Sequence, residues 1–124
     1  MSMALPRNTT RQSEGLLLGD VARLLHRVTG AVIVVFVLAH VAAQAVLHAP
    51  AMAGIKSAMP WLPAVQSQHW VHALLYFSIV FHTLHGLKLL AVEMGARLDY
   101  RASLWTIVAI SALVGLREIA RYAS

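Results

Sequence analysis

The sequence predicts an all-α integral membrane protein: three transmembrane helices preceded by a short amphipathic interfacial helix. Three observations carry that expectation. The 124 residues are 59% hydrophobic and 12% charged, with a mean hydropathy of +0.69, which is more apolar surface than a soluble domain of this size can bury. The apolar residues gather into runs of the length a bilayer requires. The ten Lys and Arg fall at the ends of those runs, where they orient a membrane protein rather than line a nucleic-acid surface. No cysteine is present, so disulfides and cysteine-ligated zinc or iron–sulfur sites are excluded, and any redox group is held non-covalently or by histidine.

Residues 1–13 are polar, carry Arg7 and Arg11 and show no apolar period. A tail of about residues 1–15 follows, flexible or docked on a soluble partner. Leu17, Leu18, Val21, Leu24, Leu25 and Val28 then recur at helical spacing, with Arg23 and Arg27 one turn apart. This is the pattern of a basic amphipathic helix at the membrane surface, or more plainly of a helix leading into the first span.

Residues 28–47 hold no charge, and at about 1.5 Å per residue they cross a core of about 30 Å. Ala51-Met52-Ala53 resembles a signal-peptidase site, but the apolar run before it is longer than a signal h-region of about 7–15 residues, which places the run in the mature protein. His26, Thr29, Ile33, Phe36, His40 and Gln44 share one face, a partly polar stripe that should avoid lipid.

Pro50, Gly54, Pro60 and Pro63 mark 48–68 as a loop with one short helix near 51–59. Trp61, His69 and Trp70 suit an interfacial belt. The second span covers about 71–92, with Lys88 snorkelling to the headgroups, and 95–102 is a charged turn. A third span, about 103–121, begins with a short apolar run and continues through Arg117 and Glu118, their charges snorkelling or paired with a partner chain. Arg7, Arg11, Arg23, Arg27, Lys88, Arg97 and Arg101 would share one side, against Lys56, Arg117 and Arg121 on the other. The excess puts the N-terminus inside.

Within the second span His82 is the anomaly. An imidazole in hydrocarbon is costly, so it faces the bundle interior and meets a proton, an ion or a metal. Gly86 lies one turn beyond it on the same face, where the missing side chain would let a flat ligand approach the backbone. Haem has that shape, with iron taking nitrogen from both sides of a rigid plane. His85 leaves the helix on the same side as His82 and reads as a hydrogen-bonding neighbour, so a second ligand comes from another helix. The bland alternative for His82 is a hydrogen-bonded packing histidine.

Counted from the inner ends of their spans, His40 and His82 both lie about 18 Å deep. They would then ligate one haem between them, or each would pair with a histidine of another subunit. For His40 a packing role weighs equally. His48, His69 and His72 read as interfacial. Arg23, His26 and Arg27 stand where haem propionates or a quinone headgroup would need donors, or else anchor the helix to anionic lipid.

Two motifs then carry a resemblance. His26-Arg27-Val28-Thr29-Gly30 at the head of the first span, with His82-x-x-x-Gly86-x-x-x-x-x-x-Glu93 in the second, resembles the cytochrome b membrane-anchor subunit of succinate dehydrogenase and fumarate reductase. The likeness covers the three-helix plan and most of the chain. It implies that His82 is an axial ligand of haem b, that Arg27 helps form a quinone site near the inner surface, and that His26 lies near the propionates. The family's usual serine is Arg23 here, and its usual aspartate is Glu93. His40 is similar to the first-span ligand of members that bind two haems.

The resemblance further implies a complex in a bacterial cytoplasmic (inner) membrane that reduces ubiquinone or menaquinone. Its partners would be a second small membrane anchor subunit, an iron–sulfur subunit and an FAD flavoprotein subunit. The chain would belong to an enzyme without itself oxidising succinate. The rivals are a haem-free scaffold or proton-relay subunit, and the cytochrome b anchor of another dehydrogenase, such as a hydrogenase or formate dehydrogenase, which is generally longer.

Overall fold

The computed structural model describes residues 9–123. Its order is α1 (Thr9–His48), a 3-10 turn (Pro50–Met52), α2 (Ala53–Ala58), α3 (Trp61–Gln66), α4 (His69–Glu93) and α5 (Tyr100–Ala123), with no strand among the described residues. Three helices are long and apolar enough to cross a membrane: Ser13–His48, His69–Glu93 and Tyr100–Ala123.

The beginning differs from expectation. Of the anticipated tail, residues 1–8 lie outside the described residues, and from Thr9 onward the backbone is helical. Among the described residues no separate interfacial helix precedes the first span; one helix of 40 residues contains both segments. At about 1.5 Å per residue it is about 60 Å long, roughly twice the hydrocarbon core. Nothing interrupts it, because no proline lies between residues 9 and 48. At the junction Thr29 keeps its hydroxyl on the helix, donating to the carbonyls of Leu25 (2.9 Å) and His26 (3.0 Å).

The first connection holds two short helices rather than one. Pro63 argued for irregular chain, but it sits in the first turn of α3, where the missing N–H has no helical acceptor to lose.

The α4–α5 turn is fixed at both ends. Gly95 adopts φ +95°, its N–H bonds Val92 O at 3.0 Å and the N–H of Ala96 reaches back to Ala91 O at 3.0 Å. This is a Schellman closure, for which glycine is the unstrained choice. Asp99 then caps α5, accepting from the Arg101 N–H at 3.1 Å.

The α4–α5 pair is a close antiparallel hairpin. Ser78 and Ser111 are completely buried, and a Cβ on Gly115 would stand 3.2 Å from the Ala73 carbonyl oxygen. Small side chains allow that approach, as membrane helices need where lipid already satisfies apolar surface. α1 packs mainly on α4 and meets α5 near its own N-terminal third, in a cluster of Ala22, Phe81, Leu104 and Ile107.

Lys88 does not snorkel. It is buried, its Nζ donates to Tyr100 O at 3.2 Å and lies 3.6 Å from the Tyr100 ring centroid, so its charge is matched inside the fold by a carbonyl and a π-face. In α5, Glu118 pairs with Arg121 of its own helix at 3.6 Å.

Candidate functional site

The site grows from a single crossing, where α1 and α4 meet around residue 30. A Cβ on Gly30 would lie 2.8 Å from His82 Cε1, so only glycine lets the imidazole lie against α1. With that space open, His82 stacks on His26, ring centroids 4.0 Å apart and planes within 5°. His82 Nδ1 is 3.0 Å from the His26 carbonyl oxygen and 3.5 Å from Thr29 Oγ1.

This geometry assigns the tautomer. A carbonyl oxygen only accepts, so Nδ1 carries the proton and donates. The Thr29 hydroxyl hydrogen is already directed at the helix carbonyls. In the neutral ring Nε2 therefore keeps its lone pair, the protonation state of a histidine able to bind a metal.

Beside Gly86 stands His26, whose Cε1 would be 3.7 Å from a Cβ there, an ordinary contact. The glycine that permits the close approach is Gly30, to which the sequence assigns no role of its own, as it assigns none to Thr29 beyond the polar stripe. Both stand within the His-Arg-Val-Thr-Gly motif, and that was the available signal.

His85 is entirely buried. It stacks on Phe81 at 5.5 Å and is tilted against His26 at 5.0 Å. It is not the hydrogen-bonding neighbour the sequence suggested: neither ring nitrogen has a hydrogen-bond partner among the described residues, and His26 Nδ1 has none either. Arg23 is exposed and paired with Asp20, and Arg27 is exposed. Arg23 and His85 nevertheless share one cavity of about 190 Å³ between α1, α4 and α5.

His40 is not level with His82. The residue of α1 beside His82 is His26, and His40 lies about four turns further along, roughly 21 Å away on the axis. It is exposed and stacked on Phe36 at 5.8 Å, while Phe36 meets His72 edge-on at 6.4 Å. The depth count misplaced it because α1 begins well before residue 28. The two histidines therefore do not share a plane within this chain, and the polar stripe of α1 is covered by α4 at Thr29 but exposed at His40 and Gln44.

No group of three or more His, Cys, Asp or Glu able to hold a metal ion occurs among the described residues.

No curated protein and no solved structure matches the chain. A family model described as succinate dehydrogenase/fumarate reductase transmembrane subunit matches residues 6–116. With three helices fit to span a membrane and a match over nearly its whole length, the chain belongs to that transmembrane-subunit family.

Proposed function

We propose that this chain is the haem b-binding membrane anchor of a succinate:quinone oxidoreductase, in which His82 would hold the haem iron. The observation that carries the reading is the Nδ1 contact to the His26 carbonyl at 3.0 Å. Metal-bound histidines characteristically donate their other nitrogen to a carbonyl or carboxylate, which fixes the ring and raises its basicity. His82 is also only half-buried in the isolated chain, as expected of a ligand whose cofactor is shared with a second anchor subunit.

The residues fit the group: an oriented imidazole with a free lone pair, and His26, Arg23 and Arg27 near the same end as donors for carboxylates. Bound haem would supply one-electron transfer between the iron–sulfur subunit and quinone. The chain's own contribution is to hold the ring, keep the crossing apolar and present Arg23 and Arg27 to a quinone carbonyl. The quinone, ubiquinone or menaquinone, takes two electrons that originate from succinate at the FAD flavoprotein subunit. Its site would face the cytoplasm at the N-terminal end of α1, in a bacterial inner membrane. His40 would act as a ligand only for a second haem shared with another subunit.

The purified complex should show a b-type absorption spectrum that disappears in His82→Ala. A full haem complement in that variant, or a colourless wild-type complex, refutes the ligand assignment and favours a haem-free scaffold. For the quinone site, Arg27→Ala should depress quinone reduction while succinate oxidation by an artificial acceptor persists.

A further inference from the structure

Where the charged turn passes into α5 stands a side chain that the haem and quinone reading leaves unused. Tyr100, the first residue of α5, is fixed by Lys88 of α4, whose Nζ donates to the Tyr100 carbonyl at 3.2 Å and lies 3.6 Å from the ring centroid. Lys88 is itself buried, so its charge holds the ring in place. The phenol then reaches across to α1, where its oxygen would stand 4.0 Å from a Cβ on Gly19. Backbone and ring of Tyr100 are thus anchored, while its hydroxyl has no hydrogen bond to protein among the described residues.

That hydroxyl borders a cavity. About 190 Å³ lie between α1, α4 and α5, walled by Tyr100 and Arg23, by Leu16 and Leu89, and by Gly15 and Gly19. A Cβ on Gly15 would meet nothing within 4 Å, so α1 is cut back here with no neighbour of its own chain to receive among the described residues. His85 closes one wall with its ring alone, since both its nitrogens are buried. The polar groups that remain both donate. A guanidinium has no acceptor at all, and Arg23, paired with Asp20 through one nitrogen, keeps further N–H groups to offer; a phenol donates to any carbonyl.

The rest of the wall is apolar, and a flat ring bearing carbonyl oxygens matches that combination. Leu16 and Leu89 suit its faces, Arg23 and Tyr100 suit its oxygens, and the glycine floor lets it approach the α1 backbone. A charged solute would lose its hydration against two leucines, and a plain hydrocarbon chain would leave both donors unmet. An adjoining cavity of about 320 Å³ shares Gly15 and Tyr100, which brings the space to the scale of small-molecule sites, about 300–1000 Å³.

We infer that the quinone headgroup seats in this cavity, with the Tyr100 hydroxyl donating to one carbonyl oxygen and Arg23 to the other. The inference rests on the quinone reading above and adds to it a binding residue from α5 and a floor, Gly15 and Gly19. Tyr100 holds the ring in position and neither supplies nor takes electrons.

The test uses the whole purified complex with short-chain ubiquinone and menaquinone analogues, each rate taken relative to succinate oxidation by an artificial acceptor. Tyr100→Phe keeps the ring on Lys88 and removes only the hydroxyl. Its KM for quinone should rise about tenfold with kcat little changed, the signature of a lost binding contact that a purely structural role would not give. Gly19→Leu fills the cavity and should raise KM at least as far; it decides the matter should Tyr100→Phe fail to assemble. A KM within about twofold of wild type in Tyr100→Phe, beside depressed quinone reduction in Arg27→Ala, overturns this seat and leaves the quinone site standing. Loss of the iron–sulfur subunit in Gly19→Leu while Tyr100→Phe keeps its KM marks the cavity as a protein contact and overturns the inference likewise. Wild-type quinone reduction in all three variants removes the quinone reading and the seat with it.

Discussion

The two halves of the α1–α4 contact treat histidine in opposite ways. At the half nearer the start of α1 His26, His82 and His85 are brought ring to ring, with Gly30 and Thr29 shaped around them. At the half nearer the end of α1 His40 is exposed beside Phe36, and the nearby groove of about 550 Å³ between α1, α3 and α4 is lined by residues such as Val35, Trp61, Trp70 and Leu74. The same residue type in the same pair of spans is a constrained, oriented group in one place and an exposed side chain in the other. A histidine in an apolar run is therefore not a site by itself. It becomes one when a neighbouring helix is cut back to receive it and a carbonyl fixes its tautomer.

That contrast can be broken by substitution, beginning with the strongest effect. Gly30→Val forces a side chain into the His82 ring, which has His26 stacked on one face. A loss of about 2–3 kcal/mol in stability and the disappearance of His82-bound haem are expected, read by thermal unfolding and haem quantitation. If Gly30→Val melted and bound haem like wild type, the contact around His82 would be no more constrained than the one around His40.

Gly115→Val probes the other close contact, where the obstacle is the Ala73 backbone oxygen. It should cost about 1–2 kcal/mol yet keep the b-type spectrum, separating damage to packing from damage to the ligand. Thr29→Val preserves shape and removes the hydroxyl near His82 Nδ1. A stability decrease of about 1 kcal/mol is expected, with haem lost more readily under detergent washing than in wild type.

The smallest effect belongs to the half around His40. His40→Phe should change stability by no more than about 0.5 kcal/mol and leave the His82-dependent spectrum unaltered, given the roughly 21 Å along α1 between His40 and the ring facing His82. Loss of the His82 haem in this variant would mean that the two ends are coupled after all.

Much of the molecule was readable beforehand because the relevant forces are local. A run without charge at 28–47 must be a buried or spanning helix, and the apolar content of the second and third runs says the same. Gly95 and Asp99 likewise mark the turn between α4 and α5 by their own backbone and capping chemistry. Harder to see was the continuity of α1. Its amphipathic start and apolar remainder look like two elements by composition, but a helix breaks only where a residue opposes the hydrogen-bond ladder, and none does.

The sequence by itself determined three spanning helices, a family membership carried by two short motifs, and the peculiarity of His82. Only the tertiary structure decided which residue of α1 stands opposite it. That partner depends on where α1 begins, how the helices cross and where side chains are small enough to admit a ring, and none of these is a property of one segment. The same packing set Gly30 against the His82 ring and buried His85. Helical periodicity assigns a face to each residue, whereas register between helices is settled by the fit of both surfaces at once.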